Sequence, residues 1–131
     1  MTTFKIEYMT AINVDKSSDN ERYAYLIQQI IETGMVWLLQ ASDGMFAMFE
    51  DPSGNEYVPV WPHENSTMKY ISDDWEDYTA ISMNLEEFLS WLEELENDQI
   101  IIGAFPKDNM QVIPIQPLEM KSHLKDASRK F

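Results

Sequence analysis

The sequence predicts an α+β fold: a mostly antiparallel sheet of five to six strands and about four helices, two of them packed on one face. Apolar residues recur at helical spacing in residues 19–33 and 85–96. Between residues 35 and 60, three short apolar segments are separated by turn residues, as in an antiparallel meander. Strands and helices do not alternate regularly, which disfavours a doubly wound parallel sheet. The length favours a single domain over residues 1–131.

The first strong element is the helix at residues 19–33. Ser18 and Glu21 have the spacing of a capping box, in which each side chain bonds the other's backbone amide. Gly34 supplies the stop at the C-terminal end. Residues 1–16 are interpreted as an extension or a short strand, because apolar and charged residues alternate from residue 4 to residue 8.

Three strands are predicted next, at residues 35–40, 45–50 and 56–60. The turns between them contain Ser-Asp-Gly and Asp-Pro-Ser-Gly, in which glycine adopts positive φ and aspartate bonds its own backbone. Pro59 lies inside the third strand and cannot donate a hydrogen bond to a neighbouring strand. The third strand is therefore predicted to lie at an edge of the sheet.

The second half of the chain predicts three further strands and three further helices around a short acidic loop. Asn84 is a good N-cap for the helix at 85–96, and Pro117 suits the first position of the last helix. The predicted elements are a helix at 65–72, a strand at 78–83, a helix at 85–96, a strand hairpin at 100–105 and 110–115, and a helix at 117–128.

The composition excludes several classes of function. The chain has 131 residues, a net charge of −14 and no cysteine, so thiolate catalysis and cysteine zinc sites are excluded. Phosphate binding depends on lysine and arginine, so the charge disfavours nucleic acid and anionic membranes as partners and leaves basic proteins or cations. We expect a soluble cytoplasmic protein, because no leader pattern or apolar segment of about 18–20 residues is visible.

Four short motifs are distinctive: R-Y-x-Y-L at 22–26, V-W-L-L at 36–39, V-P-V-W-P-H at 58–63 and E-F-L-x-W at 87–91. Together they resemble an uncharacterised bacterial family, catalogued as domain of unknown function 2750. The resemblance covers roughly residues 20–120, and its most specific part is the Trp-Pro-His block. It implies a small, soluble, single-domain bacterial protein. It brings no established activity, so no catalytic residue is carried over.

The first candidate site is the Trp-Pro-His corner, defined here as Trp61, His63 and Glu64. A histidine beside a carboxylate can act as a general base or a metal ligand. The alternative is structural, with the imidazole bonding a nearby carbonyl or the start of the next helix. No second histidine or carboxylate stands at metal-ligand spacing from His63, and no nucleophile or phosphate-binding motif is present. No catalytic residue, metal or cofactor is therefore predicted.

The second candidate is the acidic segment, residues 73–98, which holds ten acids and no lysine or arginine. It carries a net charge of −10 and leaves −4 for the rest of the chain. Helix capping explains Glu86 and Glu87, whereas acids at the end of the same helix have no such explanation. The alternatives are a solvated face, a surface for a basic partner, or weak divalent-cation binding. The binding residues predicted around an exposed tryptophan are Asp73, Asp74, Trp75, Glu76 and Asp77.

Three functions follow from these candidates. The favoured one is a non-enzymatic module that binds a basic protein through the acidic segment. The alternative is a small-ligand binder or hydrolase-like enzyme centred on the Trp-Pro-His corner. The third is a structural protein that associates with itself through an edge strand. The predicted oligomeric state is a monomer or a homodimer.

Overall fold

A computed structural model describes residues 18–50, 53–72, 77–107 and 112–129. The helices are α1 (Asp19–Thr33), α2 (Glu64–Ser72), α3 (Leu85–Asn97) and α4 (Pro117–Ser128). The strands are β1 (Met35–Gln40), β2 (Phe49–Glu50), β3 (Glu56–Val60), β4 (Thr79–Asn84), β5 (Ile101–Ala104) and β6 (Ile113–Ile115). The strand predicted near the N-terminus lies outside the described residues.

The prediction of an α+β fold with mostly antiparallel strands is confirmed, but one sheet of five to six strands is not observed. The strands form a two-stranded sheet, β1-β4, and a four-stranded sheet in the order β2-β3-β5-β6. The β3-β5 pair is parallel, and the other pairs are antiparallel. A backbone bridge joins the two sheets. The amide of Trp37 donates to the carbonyl of Trp61 at 2.9 Å, and the reverse bond is also 2.9 Å.

The predicted meander of the first three strands is observed in part: β2 pairs antiparallel with β3, but no ladder joins β1 to β2 in the described residues. β1 pairs along its whole length with β4, which is some forty residues further along the chain. The end of β1 instead contacts the residues just before β2, through a bridge between Gln40 and Phe46, a 2.8 Å bond from the Ala47 amide to the Leu39 carbonyl and a 2.8 Å bond from the Ala41 amide to the Met45 carbonyl. The chain then leaves β1, and β2 pairs with β3 over two residues.

Pro59 does not mark an edge strand, contrary to the prediction. β3 lies between β2 and β5, and Pro59 stands opposite Gly103 of β5. The Val60 carbonyl accepts from the Phe105 amide at 2.9 Å, which directs Val60 toward the β5 side. Successive residues of a strand direct their backbone groups to opposite sides, so the nitrogen of Pro59 faces the β2 side. The ladder between β2 and β3 does not reach Pro59, because its nearest pair is Phe49 with Tyr57. The proline therefore costs no ladder bond.

The predicted helices agree closely with the structure. α1 begins after the expected capping box, in which the Glu21 amide donates to Ser18 Oγ at 3.2 Å, and ends at Gly34 with φ of 73°. α1 and α3, the helices predicted to share one face, both contact β1, and α4 contacts both helices. None of the helices in the described part of the chain is long and apolar enough to cross a membrane.

The buried core joins the two sheets to the helices. Its largest fully buried side chains are Trp61, Phe88, Leu26, Ile30, Leu38, Leu39, Leu92, Ile102, Met120 and Leu124. Close packing also explains Gly103, because a Cβ atom there would lie 2.3 Å from the Tyr57 ring. The end of β3 and the end of β5 therefore meet in a tightly packed region, beside which the Trp-Pro-His corner lies.

Candidate functional site

Trp61 anchors the Trp-Pro-His corner from inside the core. Its side chain has 0% exposure, and its backbone carries both bonds to Trp37 that join the two sheets. Glu64, in contrast, is exposed at the first position of α2. The side chain of Trp61 is thus part of the packing, and the polar groups of this corner belong to His63 and Glu64.

His63 lies at the surface of the corner and bonds a side chain of the first helix. Its Nε2 atom hydrogen-bonds the hydroxyl of Tyr25, which is 6% exposed, and the two ring centroids are 5.7 Å apart. The His63 carbonyl also accepts from the Ser66 amide at 3.1 Å, in the first turn of α2. Desolvation by burial lowers the pKa of His63 from its ordinary value of 6.5. The imidazole is therefore neutral at neutral pH and is partly buried against Tyr25.

We expect His63 to make the fold less stable in acid. Its pKa is lowered in the folded chain, so the unfolded chain binds more protons as the pH falls. The stabilisation is complete above the ordinary histidine pKa of about 6.5 and is lost as the pH falls through the lower folded value. Urea unfolding at a series of pH values should show that His63→Gln has a smaller loss of stability between pH 7.5 and pH 5 than the unchanged chain.

The chain has two histidines, so a double variant serves as the control for the histidine dependence of that measurement. The double substitution of His63 and His123 by glutamine removes every imidazole. Any histidine-dependent slope that survives His63→Gln belongs to His123. An identical pH slope in His63→Gln and the unchanged chain would contradict the assignment to His63.

A buried arginine joins the same region by contacting Phe105, the neighbour of Tyr25. Arg22 is 2% exposed, and its Nη2 atom donates to the carbonyl of Phe105. The guanidinium carbon lies 4.6 Å from the centre of the Phe105 ring, and that ring is 6.2 Å from the ring of Tyr25. Arg22, Phe105, Tyr25 and His63 therefore form a continuous row of contacts.

Phe105 holds an unusual backbone conformation in this row. Its φ is 43°, in the left-handed region that residues with a Cβ atom rarely adopt. Such strain costs about 1–3 kcal/mol and persists where the surroundings determine the conformation. Here the surroundings are the bond from its amide to Val60, the bond from Arg22 to its carbonyl, and the cation–π contact.

A pocket of about 190 Å³ opens at the Arg22 end of the row. It is lined by Asp19, Arg22, Lys107, Val112 and Ile113. Trp61, His63 and Glu64 do not line it, so this pocket does not belong to the Trp-Pro-His corner. The combination of two cations and one carboxylate in a strongly acidic chain is a local charge contrast that the sequence did not reveal, because Arg22 and Lys107 come from distant segments.

A second tyrosine–histidine pair involves the same helix. The Tyr23 hydroxyl lies 2.7 Å from Nδ1 of His123 on α4, and the rings meet edge to face at 5.5 Å. Burial, and then the charge of Glu119, raise the pKa of Tyr23 above its ordinary value. Tyr23 and Tyr25 are two residues apart and lie on different sides of α1. The two tyrosines of the motif R-Y-x-Y-L thus connect α1 to two different places, His123 on α4 and His63 just before α2.

The acidic segment is only partly described. Asp73, Asp74, Trp75 and Glu76 lie outside the described residues, and Asp77 is exposed. On α3, two of the acids without a sequence explanation have structural partners: Glu93 pairs with Lys121, and Glu96 Oε1 accepts from the Leu118 amide at 3.1 Å. Together they hold α4 against α3.

The other acids of the described segment remain at the surface. Exposed side chains at both ends of β4 and along α3 are those of Asp77, Glu86, Glu87, Glu94 and Asp98. In the described ranges, no group of three or more histidine or acidic side chains is placed to hold a metal ion. The chemistry available at this surface is electrostatic attraction of cationic groups.

The comparisons with known proteins identify a family and a distant structural similarity. The family model "Protein of unknown function (DUF2750)" matches residues 23–124. No curated protein gives a significant match to the chain. Among solved structures, Anabaena Tic22, titled as a protein of protein transport, is similar with a TM-score of 0.43 and 13% identity over 63% of this chain. The similar region spans 48% of the Tic22 chain, about half of its length.

Proposed function

We propose that this chain, which belongs to the DUF2750 family of unknown function, is a non-enzymatic module that binds a basic protein through its acidic segment. A bacterial, cytoplasmic setting is part of the proposal. The observation that carries it is the one-sided charge of residues 77–98, where seven acids occur without a lysine or arginine. Five of these acids are free of the contacts that hold α4 against α3.

The position of the exposed acids supports binding rather than stability alone. Glu93 and Glu96 already have partners on α4, so their carboxylates are less available to a binding partner. Glu87 also bonds Asn84 at the start of α3, with Asn84 Nδ2 donating to Glu87 Oε1 at 2.7 Å. Glu94 and Asp98 have no such assigned role and lie near the C-terminal end of a helix, where acids oppose the helix dipole. Attraction of a basic partner explains their presence.

Ligand binding at the Trp-Pro-His corner is the second candidate. It is supported by the partial burial of His63 against Tyr25 and by the strained backbone of Phe105 in the same row of contacts. The complete burial of Trp61 favours the first candidate, because that side chain is unable to contact a ligand without opening the core.

A salt-dependent binding measurement tests the proposal. The probe is a fluorescent peptide of about ten residues with two lysines at each end and alternating threonine and valine between them. We expect the triple substitution Asp77→Asn, Glu86→Gln and Glu94→Gln to weaken binding at low salt by about tenfold, since exposed charge pairs contribute about 0.2–1 kcal/mol each. High salt should reduce the difference, because it screens surface charges.

The matched control changes the net charge equally at another place. Glu32→Gln, Glu50→Gln and Glu56→Gln neutralise three exposed acids outside the acidic segment. This control should bind the peptide nearly as well as the unchanged chain. Equal losses in the two triple variants would show that only net charge matters and would overturn the proposal.

A further inference from the structure

β4 is the outermost strand of its sheet, and its outer side is open in the described part of the chain. β1 pairs with one side of β4, and no described strand pairs with the other. None of its six residues is buried, whereas β1, β3 and β5 each contain buried residues. α2 packs against β1 and β4. Within the described ranges, however, no backbone-to-backbone hydrogen bond joins α2 to β4.

The register shows which backbone groups face outward. The Leu85 amide donates to the Gly34 carbonyl at 2.9 Å, directly beyond the pair of Met35 with Asn84. Bonded and non-bonded pairs alternate in an antiparallel ladder, so Met83, Ile81 and Thr79 are directed to β1. Ala80 and Ser82 are then directed to the open side. Trp37, opposite Ser82, agrees with this assignment. Its backbone bonds Trp61 on the side of β1 that faces away from β4.

This open edge lacks the features with which proteins usually block strand pairing. Edge strands are commonly protected by proline, by a bulge or by charged side chains. β4 has the sequence Thr-Ala-Ile-Ser-Met-Asn, without charge, proline or glycine. The other sheet has two edge strands: β2, which is two residues long and contains Glu50, and β6, which is three residues long and contains Pro114. The unprotected edge of the described strands is therefore β4.

Acidic residues flank β4 on both sides. Exposed Asp77 lies two residues before its first residue, and exposed Glu86 and Glu87 lie two and three residues after its last. An uncharged strand with acids at both ends is complementary to an extended segment that is neutral in its centre and basic at its ends. A second copy of the chain would bring like charges together in antiparallel pairing, which disfavours self-association.

The geometry points to addition of an extended, basic segment of the partner protein to the β4 edge, as a third strand beside β4 and β1. Ala80 and Ser82 supply the backbone hydrogen bonds, and Asp77 and Glu86 attract the basic ends. Main-chain bonds of this kind give affinity with little demand on sequence, and the flanking charges give selectivity. This inference rests on the proposed function and specifies how the partner is recognised.

The same basic peptide distinguishes strand addition from charge attraction. A second version carries N-methyl groups on alternate central amides, which removes backbone donors and keeps every charge. We expect N-methylation to weaken binding by about tenfold, since two to three main-chain hydrogen bonds are lost. We also expect the amides of Ala80 and Ser82 to exchange with solvent quickly in the free chain and to become protected when the peptide binds.

Substitutions in β4 supply the complementary test. Ser82→Pro removes an outward donor without removing a bond to β1, and proline is tolerated where the amide faces away from the sheet. It should weaken peptide binding, whereas Ser82→Ala, which keeps the amide, should not. Ala80→Pro is the second variant, should Ser82→Pro disturb the fold. Circular dichroism and urea unfolding establish that each variant is folded.

Each outcome separates the two proposals. If the N-methylated peptide and the folded proline variants bind as well as their parents, while the acidic triple variant still binds weakly, strand addition is overturned and the acidic module stands. If the acidic triple variant also binds normally, the proposed function fails as well. Two results would show that the edge is already occupied and would overturn the inference. One is protection of the Ala80 and Ser82 amides in the free chain. The other is a free chain that sediments as a dimer and that Ser82→Pro dissociates.

Discussion

Replacing Trp61 with alanine is expected to lower the free energy of unfolding by about 3–5 kcal/mol, the range for removal of a fully buried aromatic side chain. Trp61 has 0% exposure and lies at the bridge between the two sheets. Its loss leaves a cavity where the end of β3 meets the middle of β1. Urea unfolding followed by circular dichroism measures the change without depending on tryptophan fluorescence.

Trp91→Ala is the matched control for this substitution. Trp91 is half-buried on α3, and its ring contacts that of Phe46 at 5.0 Å. Partial burial and one aromatic contact predict a smaller loss, about 1–2 kcal/mol. If the two tryptophans contribute equally, the bridge between the sheets has no special role in stability.

Arg22→Met is expected to destabilise the chain by about 2–4 kcal/mol. The substitution leaves the Phe105 carbonyl without the bond from the guanidinium, which costs about 1–3 kcal/mol in a buried place, and it removes a cation–π contact of about 0.5–2 kcal/mol. The strained φ of Phe105 also loses one of the contacts that hold it. Chemical unfolding of the variant gives the magnitude.

Two further variants show whether geometry or charge is responsible. Arg22→Lys keeps the charge but loses the planar group that stacks on Phe105, so it should recover only part of the stability. Arg129→Met removes an exposed arginine paired with Asp126 and should change the stability by less than about 0.5 kcal/mol. Full stability in Arg22→Lys would contradict the role given to stacking.

The local elements of the fold could be predicted because their signals lie within a few residues of one another. Ser18 and Glu21 determine where α1 begins, and Asn84 does the same for α3, where the Glu87 amide donates to Asn84 Oδ1 at 2.8 Å. Strand partners have no such local signal. The pairing of β1 with β4 and the parallel pairing of β3 with β5 depend on which apolar faces meet in the core.

The rule applied to Pro59 failed for a related reason. A proline needs only one side of its strand to be unpaired at its own position, whereas an edge strand is unpaired along its length. The short β2 supplies that local gap next to an interior strand. The sequence pattern predicted a strand over residues 45–50, whereas β2 is only Phe49–Glu50. The gap beside Pro59 was therefore not predicted.

The candidate sites were predicted in part. The sequence indicated His63 and the acidic segment, yet it missed Tyr25 as the partner of His63 and Arg22 as a buried cation. The partners of Glu93 and Glu96 are 28 and 22 residues further along the chain, which explains why these two acids lacked an interpretation. Residue types suggested the chemistry, and the fold decided which groups meet.

The parallel pairing of β3 with β5 also affects how the chain folds. The connection between these strands, residues 61–100, contains β4, which itself pairs back to β1. Each sheet therefore requires a long loop to close, and the loop of one contains a strand of the other. Contacts between residues far apart in sequence slow folding. Neither sheet is able to form as an independent early unit, so the chain is expected to fold more slowly than a helical bundle of its length.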